Sequence, residues 1–193
     1  MGEQQVALVT GASGFCGQHL ALHLRDAGYR VVAFDRTALS VTVTDQYTGD
    51  ITHPATMSHV ITAVRPDCVF HLAALAGVGR SYTELHYVNA YGSLLLLETL
   101  RKEQMSPRTL VTTSSGVYGS VPPNELPIRE DTLLRPQTAY ALSKAAQDLA
   151  AYQQFAAHNL PIIRVRPFNI IGPGQGSQFV ASAFAKQLAE IEL

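Results

Sequence analysis

Tyr140 and Lys144 stand four residues apart in YALSK, a spacing that puts phenol and ammonium on one face of a helix. A tyrosine has a reference pKa of about 10, and a neighbouring cation lowers it towards the range of a usable general acid or base. The plain alternative is a surface pair worth roughly 0.2–0.5 kcal/mol. Context comes from Ser114 and Ser115, which follow the strand-length run Thr109 to Thr113. Hydroxyls there would lie at the carboxyl edge of a parallel sheet, where such folds bind ligands. One of the two could bond a reacting carbonyl oxygen and turn it towards Tyr140; strand-end serines also serve as simple caps.

A second group is suited to phosphate. TGASGFCG runs from Thr10 to Gly17 after an apolar run and before a helical pattern, with glycines at 11, 14 and 17. Such a turn lets backbone approach a pyrophosphate closely, with amides from Gly11, Ser13, Gly14, Phe15 and Cys16 gathered at a helix N-terminus. Gly17 would let that helix pack on its strand. Asp35, at the end of the next apolar run, has the spacing of an acid that accepts ribose hydroxyl bonds, which favours NAD. Arg36 beside it could instead pair with a 2′-phosphate, leaving NADP open. Asp50 could accept a bond from an adenine amino group while Ile51 packs on its face; a turn role fits Asp50 equally.

Positioning these groups takes alternating strands and helices, the pattern of a parallel α/β sheet. Strands are expected at Val6 to Thr10, Val31 to Phe34, around Ser40 to Thr44, Asp67 to Leu72, Thr109 to Thr113 and Ile162 to Val165. Helices are expected from Phe15 to Ala27, from Pro54 with Thr52 as cap, from Tyr82 to Gln104, from Thr138 to His158, and from about Gln178. Gly119 to Gln137 is a proline-rich loop of functional length. The fold expected is α/β, a doubly wound parallel sheet of the Rossmann type over residues 1–167. Residues 168–193 read as the start of a C-terminal substrate region that continues past Leu193.

Composition narrows the partners. The 193 residues are 47% hydrophobic and 15% charged, with a formal net charge of -1, so the chain has a core to bury and no basic surface for nucleic acid. No 18-residue apolar span or leader pattern occurs, pointing to a cytoplasmic protein without a membrane. Cys16 and Cys68 are isolated, and no cluster has metal-ligand spacing. His71 and Tyr118 read as a packing histidine and a cleft wall.

Taken together, TGASGFCG, Asp35, Asp50-Ile51, HLAA from His71, Asn89, SSGVYG from Ser114, YALSK and RPFNIIGPG from Arg166 resemble the extended short-chain dehydrogenase/reductase family, of the NAD-dependent epimerase/dehydratase type. The resemblance implies catalysis by Ser114, Tyr140 and Lys144, with Tyr140 and Lys144 also touching the cofactor. It places Leu72, Ala73, Ala74 and Asn89 along the cofactor cleft, and Ser114, Ser115 and Asn169 on the substrate side. Within the family the chain looks most like reductases of GDP-4-keto-6-deoxymannose, which yield GDP-rhamnose, although Ile170 stands where those usually have histidine. A nucleotide-sugar 4-epimerase with tightly held NAD and a non-catalytic dinucleotide-binding protein are the other readings. A dehydratase is disfavoured, because Ser115 and Gly116 occupy the places of its acid and base. Family members pair through two long helices, which implies a homodimer here, with Ala141, Ala145 and Ala156 allowing close approach.

Overall fold

Six short strands pair side by side as one parallel sheet in the order β3-β2-β1-β4-β5-β6. The strands are β1 Val6–Thr10, β2 Arg30–Asp35, β3 Asp45–Thr48, β4 Cys68–His71, β5 Arg108–Thr112 and β6 Ile162–Val165. The structure is a computed structural model that describes residues 4–76 and 79–191. The leader reading at Met1 to Glu3, and the last two positions of the 168–193 segment, lie outside these residues.

Side chains alternate across each strand, and the alternation builds two cores. Leu8, Val32, Phe34, Val69 and Val111 face helices α2 (Pro54–Val64), α4 (Gly92–Lys102) and α5 (Ala139–His158). Ala7, Val9, Val31 and Ala33 face α1 (Phe15–Asp26) on the other side. The doubly wound arrangement expected from the sequence is present. Its strand order reverses between β1 and β4, which opens a crevice at their carboxyl ends. Among the described residues no helix is long and apolar enough to cross a membrane.

Three local expectations change. The third strand is Asp45–Thr48, beyond the Val-Thr alternation at Ser40 to Thr44. Val41 and Val43 instead pack against the α1-side core, and strand pairing with β2 starts only at the Thr44 amide. The helix expected from Tyr82 to Gln104 is three pieces: α3 (Tyr82–Leu85), a π-helical turn (His86–Tyr91) and α4. The wide turn buries Asn89 completely. His53 caps α2, accepting from the Thr56 amide, while Thr52 turns back to Asp50. Ala141 and Ala145 are buried inside the chain and leave only Ala156 exposed among the three alanines expected at a helix contact between protomers.

Candidate active site

The glycine turn is built from backbone contacts that exclude side chains. Gly11 has φ +73°, and a Cβ there would sit 2.5 Å from the Ala73 nitrogen. A Cβ on Gly17 would lie 2.2 Å from the Gly11 carbonyl oxygen, so α1 can seat on the turn only without one. Gly14 is the N-cap of α1 and brings no side-chain acceptor. The first-turn amides, from Phe15 onward, are therefore left without a side-chain cap at the helix's positive end, the kind of end that binds phosphate. Ser13 is different: its amide already donates to Asp35 Oδ2 at 2.9 Å, and its hydroxyl lies 2.9 Å from that of Thr37. Burial raises the half-buried Cys16 thiol above its ordinary pKa, which favours the protonated thiol.

One cleft collects most of the residues read from the sequence. Gly11, Ser13, Gly14, Asp35, Arg36, Asp50, Ile51, Leu72, Ala73 and Ala74 line it. Asp35 is fixed by two amides, the second from Arg36 at 2.6 Å, leaving its outer lone pairs to the cleft. Burial opposes the Asp50 carboxylate. Even so, its pKa is lowered by hydrogen bonds from the Thr52 hydroxyl and amide, with help from the Arg36 charge. Phe34, Gly49, Leu75 and Val88 also line the cleft and had no motif to mark them. Phe15, Cys16 and Gly17 lie outside that lining.

Asn89 stands behind the cleft wall. It is fully buried, accepts from the Leu75 amide at 2.7 Å, and donates to the Leu75 carbonyl and to Ser143 Oγ at 3.0 Å. Ser143 in turn donates to the Tyr140 carbonyl oxygen. The side chain thus clips the far end of the cleft to the helix that carries Tyr140.

At that end Ser114, following β5, stands beside the Tyr140 phenol, and its own Oγ accepts from the Gly116 amide at 3.1 Å. Thr138 caps α5 through the Ala141 amide and so fixes where the helix begins. Burial raises the Tyr140 pKa above its ordinary value, and the Ser114 hydroxyl nearby only partly offsets this. The expected lowering by Lys144 is not what sets its titration. Lys144 is 3% exposed, and its Nζ donates to the Thr112 carbonyl at 3.0 Å and to Gln147 Oε1 at 2.8 Å. Burial drives its pKa down to about 7. The arrangement offers a protonated phenol beside a serine hydroxyl, which suits donation of a proton to an oxygen held there.

Ser115 opens a short 3₁₀ turn, its amide bonded to the Pro167 carbonyl at 2.9 Å. Asn169 is exposed on the segment after β6 and does not reach the cleft lining. Tyr118 is buried and accepts from Arg166 at 2.9 Å. His71 is buried as a packing residue, bonded to Thr10 and Ser93, with its pKa lowered to about 3 by burial and then by the Lys144 charge.

Known proteins are similar to this chain in sequence and fold. GDP-6-deoxy-D-mannose reductase of Pseudomonas aeruginosa is 33% identical over 191 residues, 97% of this chain and 60% of that protein. UDP-glucose 4-epimerase of Streptomyces lividans is 31% identical, over 90% of this chain and 54% of that protein. The solved structure of RMD from Pseudomonas aeruginosa complexed with NADPH superposes with a TM-score of 0.83 at 31% identity, covering 97% of this chain and 60% of that one. This chain therefore spans between half and two thirds of their length. A family model matches from residue 7 to residue 193, taking in the glycine turn, the cleft and the Ser114–Tyr140 pair, and the chain belongs to the NAD dependent epimerase/dehydratase family.

Proposed function

We propose that this chain is the cofactor-binding and catalytic portion of an NAD(P)H-dependent nucleotide-sugar reductase acting on the C4 ketone of a 4-keto-6-deoxy sugar, of the GDP-4-keto-6-deoxymannose to GDP-rhamnose type. Residues 1–167 hold the cofactor, and residues 168–193 begin the substrate side. The observation that carries the reading is the placement of the Tyr140 phenol beside Ser114, on the helix that buries Lys144 with its nitrogen fixed on the Thr112 and Gln147 carbonyls. The similarity to the Pseudomonas reductase supports the sugar class.

The cleft fits a dinucleotide. The amides of the α1 first turn would hold the pyrophosphate, Asp35 the ribose hydroxyls, and Asp50 with Ile51 the adenine. Leu72 to Ala74 would wall the middle, and Tyr140 and Lys144 would meet the second ribose. A carboxylate at Asp35 disfavours a 2′-phosphate, so NADH is the expected preference. When bound, the reduced nicotinamide supplies hydride. Ser114 holds the ketone oxygen, and Tyr140 Oη gives that oxygen its proton. Lys144, with its two fixed acceptors, keeps a positive or proton-exchanging nitrogen on the Tyr140 helix. Ser115 and Asn169 lie on the substrate side.

The test is loss of nicotinamide absorbance when GDP-4-keto-6-deoxymannose is added with NADH or NADPH. Consumption is expected, falling at least about 100-fold in Tyr140→Phe, the loss of a general acid. The similarity to the Streptomyces 4-epimerase favours a second reading, in which NAD stays bound and two sugars interconvert. Interconversion without net consumption would replace the reductase reading with that one.

A further inference from the structure

Lys144 sits at one end of a buried chain of polar side chains that contains no other ionised group. The Ala73 amide donates to Thr10 Oγ1 at 3.4 Å, and Thr10 Oγ1 lies 2.7 Å from His71 Nδ1. His71 Nε2 lies 2.6 Å from Ser93 Oγ, Gln147 Nε2 lies 2.8 Å from the same oxygen, and Gln147 Oε1 accepts from Lys144. His71, Ser93 and Gln147 are completely buried.

Counting protons leaves one arrangement. The Asn89 carbonyl can only accept, and Ser93 Oγ lies 2.6 Å from it, so the single Ser93 proton goes there. Ser93 Oγ must then receive protons from both other neighbours. His71 is the Nε2–H tautomer, with Nδ1 accepting from Thr10. Gln147 must turn its amide nitrogen to Ser93, which aims its carbonyl at Lys144. An amide that is free to flip would present N–H groups to an ammonium; this one cannot without stranding Ser93.

We propose that Gln147 is a positioning residue for Lys144: its carbonyl, locked by Ser93, and the Thr112 carbonyl fix two of the three directions around Nζ and leave the third as the one that exchanges a proton. Both acceptors are satisfied whether the nitrogen is an amine or an ammonium, so only the third position changes with charge. The role in turnover rests on the catalytic reading of Lys144; the orientation does not. From the sheet the titratable group facing Lys144 is His71, which stays uncharged. The π-helical turn and α4 present Asn89 and Ser93, which do not titrate. On α5 itself stand Tyr140, one turn back, and Asp148, whose carboxylate is committed to Arg164 and Arg166. Gln147 therefore has no ionised competitor as the neutral acceptor on this nitrogen.

The chain has three lysines, at 102, 144 and 186, so a Lys102→Arg/Lys186→Arg background leaves one ¹³Cε-lysine signal, that of Lys144. Its titration is followed by NMR in that background and in Gln147→Met and Gln147→Glu. Loss of the carbonyl is expected to move the midpoint down, and a carboxylate in its place to move it up by about one pH unit or more. Opposite shifts are the signature of a direct contact with Nζ. A midpoint unmoved by both substitutions, or moved the same way by both, would overturn the proposal, as would a parent midpoint in the ordinary lysine range. If Gln147→Met fails to give a folded circular dichroism spectrum, the near-isosteric Gln147→Glu decides alone: an upward midpoint supports the contact, and an unmoved or lowered midpoint overturns it. Shifts as expected, with a Lys144→Met enzyme that still turns over normally, would leave the orientation standing and remove the catalytic reading.

Discussion

At the scale of single residues, function sets groups against stability in opposite ways. Burial leaves Lys144 with a pKa of about 7 against an ordinary 10.5. The unfolded chain keeps that proton to higher pH, so between these values the native state binds fewer protons and stability rises with pH, by up to about 1.4 kcal/mol per unit. Below about pH 7 the destabilisation is complete. Lys144→Met removes it. Urea midpoints at pH 7 and pH 9 are expected to rise in the parent chain relative to Lys144→Met; parallel behaviour of the two proteins would show that the site is not a buried, readily deprotonated amine. Tyr140 works in the other sense, since burial favours its neutral form. The YxxxK spacing made both residues legible as a pair, but not the sign of the tyrosine's shift. That sign depends on how much water reaches the phenol, which spacing does not encode.

At the scale of elements, one carboxylate ties the helix that carries Tyr140 to the sheet edge. Asp148 on α5 is completely buried and bonded to Arg164 on β6, to Arg166 at 2.8 and 2.9 Å, and to Thr113 at 3.2 Å. Arg166 continues to the Glu130 carbonyl at 2.7 Å, so the proline-rich loop is held by the same strut. Burial works against the Asp148 carboxylate, yet the two arginines hold its pKa below the ordinary value. Its stabilisation is therefore present above the unfolded carboxylate range and lost as pH falls through the folded value. Asp148→Asn is expected to lose about 3 kcal/mol at pH 7, the lower end for breaking a buried pair because Arg164 is partly hydrated. The difference from the parent should shrink below about pH 4, and chemical denaturation across that range checks both. The strands and helices that frame this strut were legible from apolar periodicity. The third strand was not, because Val41 and Val43 have strand propensity but find their apolar neighbours in the core beside α1. Nor was the break in the helix after Leu85, where the burial of Asn89 outweighs regular winding.

At the scale of the whole molecule, strand order puts the glycine turn and the Ser114–Tyr140 pair at one edge of one sheet, although Gly11 and Ser114 are 103 residues apart in sequence. The motifs named those residues; the crossover between β1 and β4 explains why both stand at the carboxyl edge of the sheet. The lining contributed by Phe34, Leu75 and Val88 was not legible, since apolar residues at strand ends and on a helix look like any core position. Apolar side chains are also exposed along α6 (Val180–Ile191), at Val180, Phe184, Leu188 and Ile191, on a chain that spans 60% of the reductase it resembles. The central claim is that the crevice at this edge holds a nicotinamide dinucleotide. Its most direct test is a fluorescence titration of the 193-residue chain with NADH and NADPH, beside Gly11→Ala. Saturable binding of NADH, weaker for NADPH and lost in Gly11→Ala while the parent fold is kept, is the result expected. Failure of the parent chain to bind either nucleotide, or binding indifferent to the Gly11→Ala substitution, would contradict it.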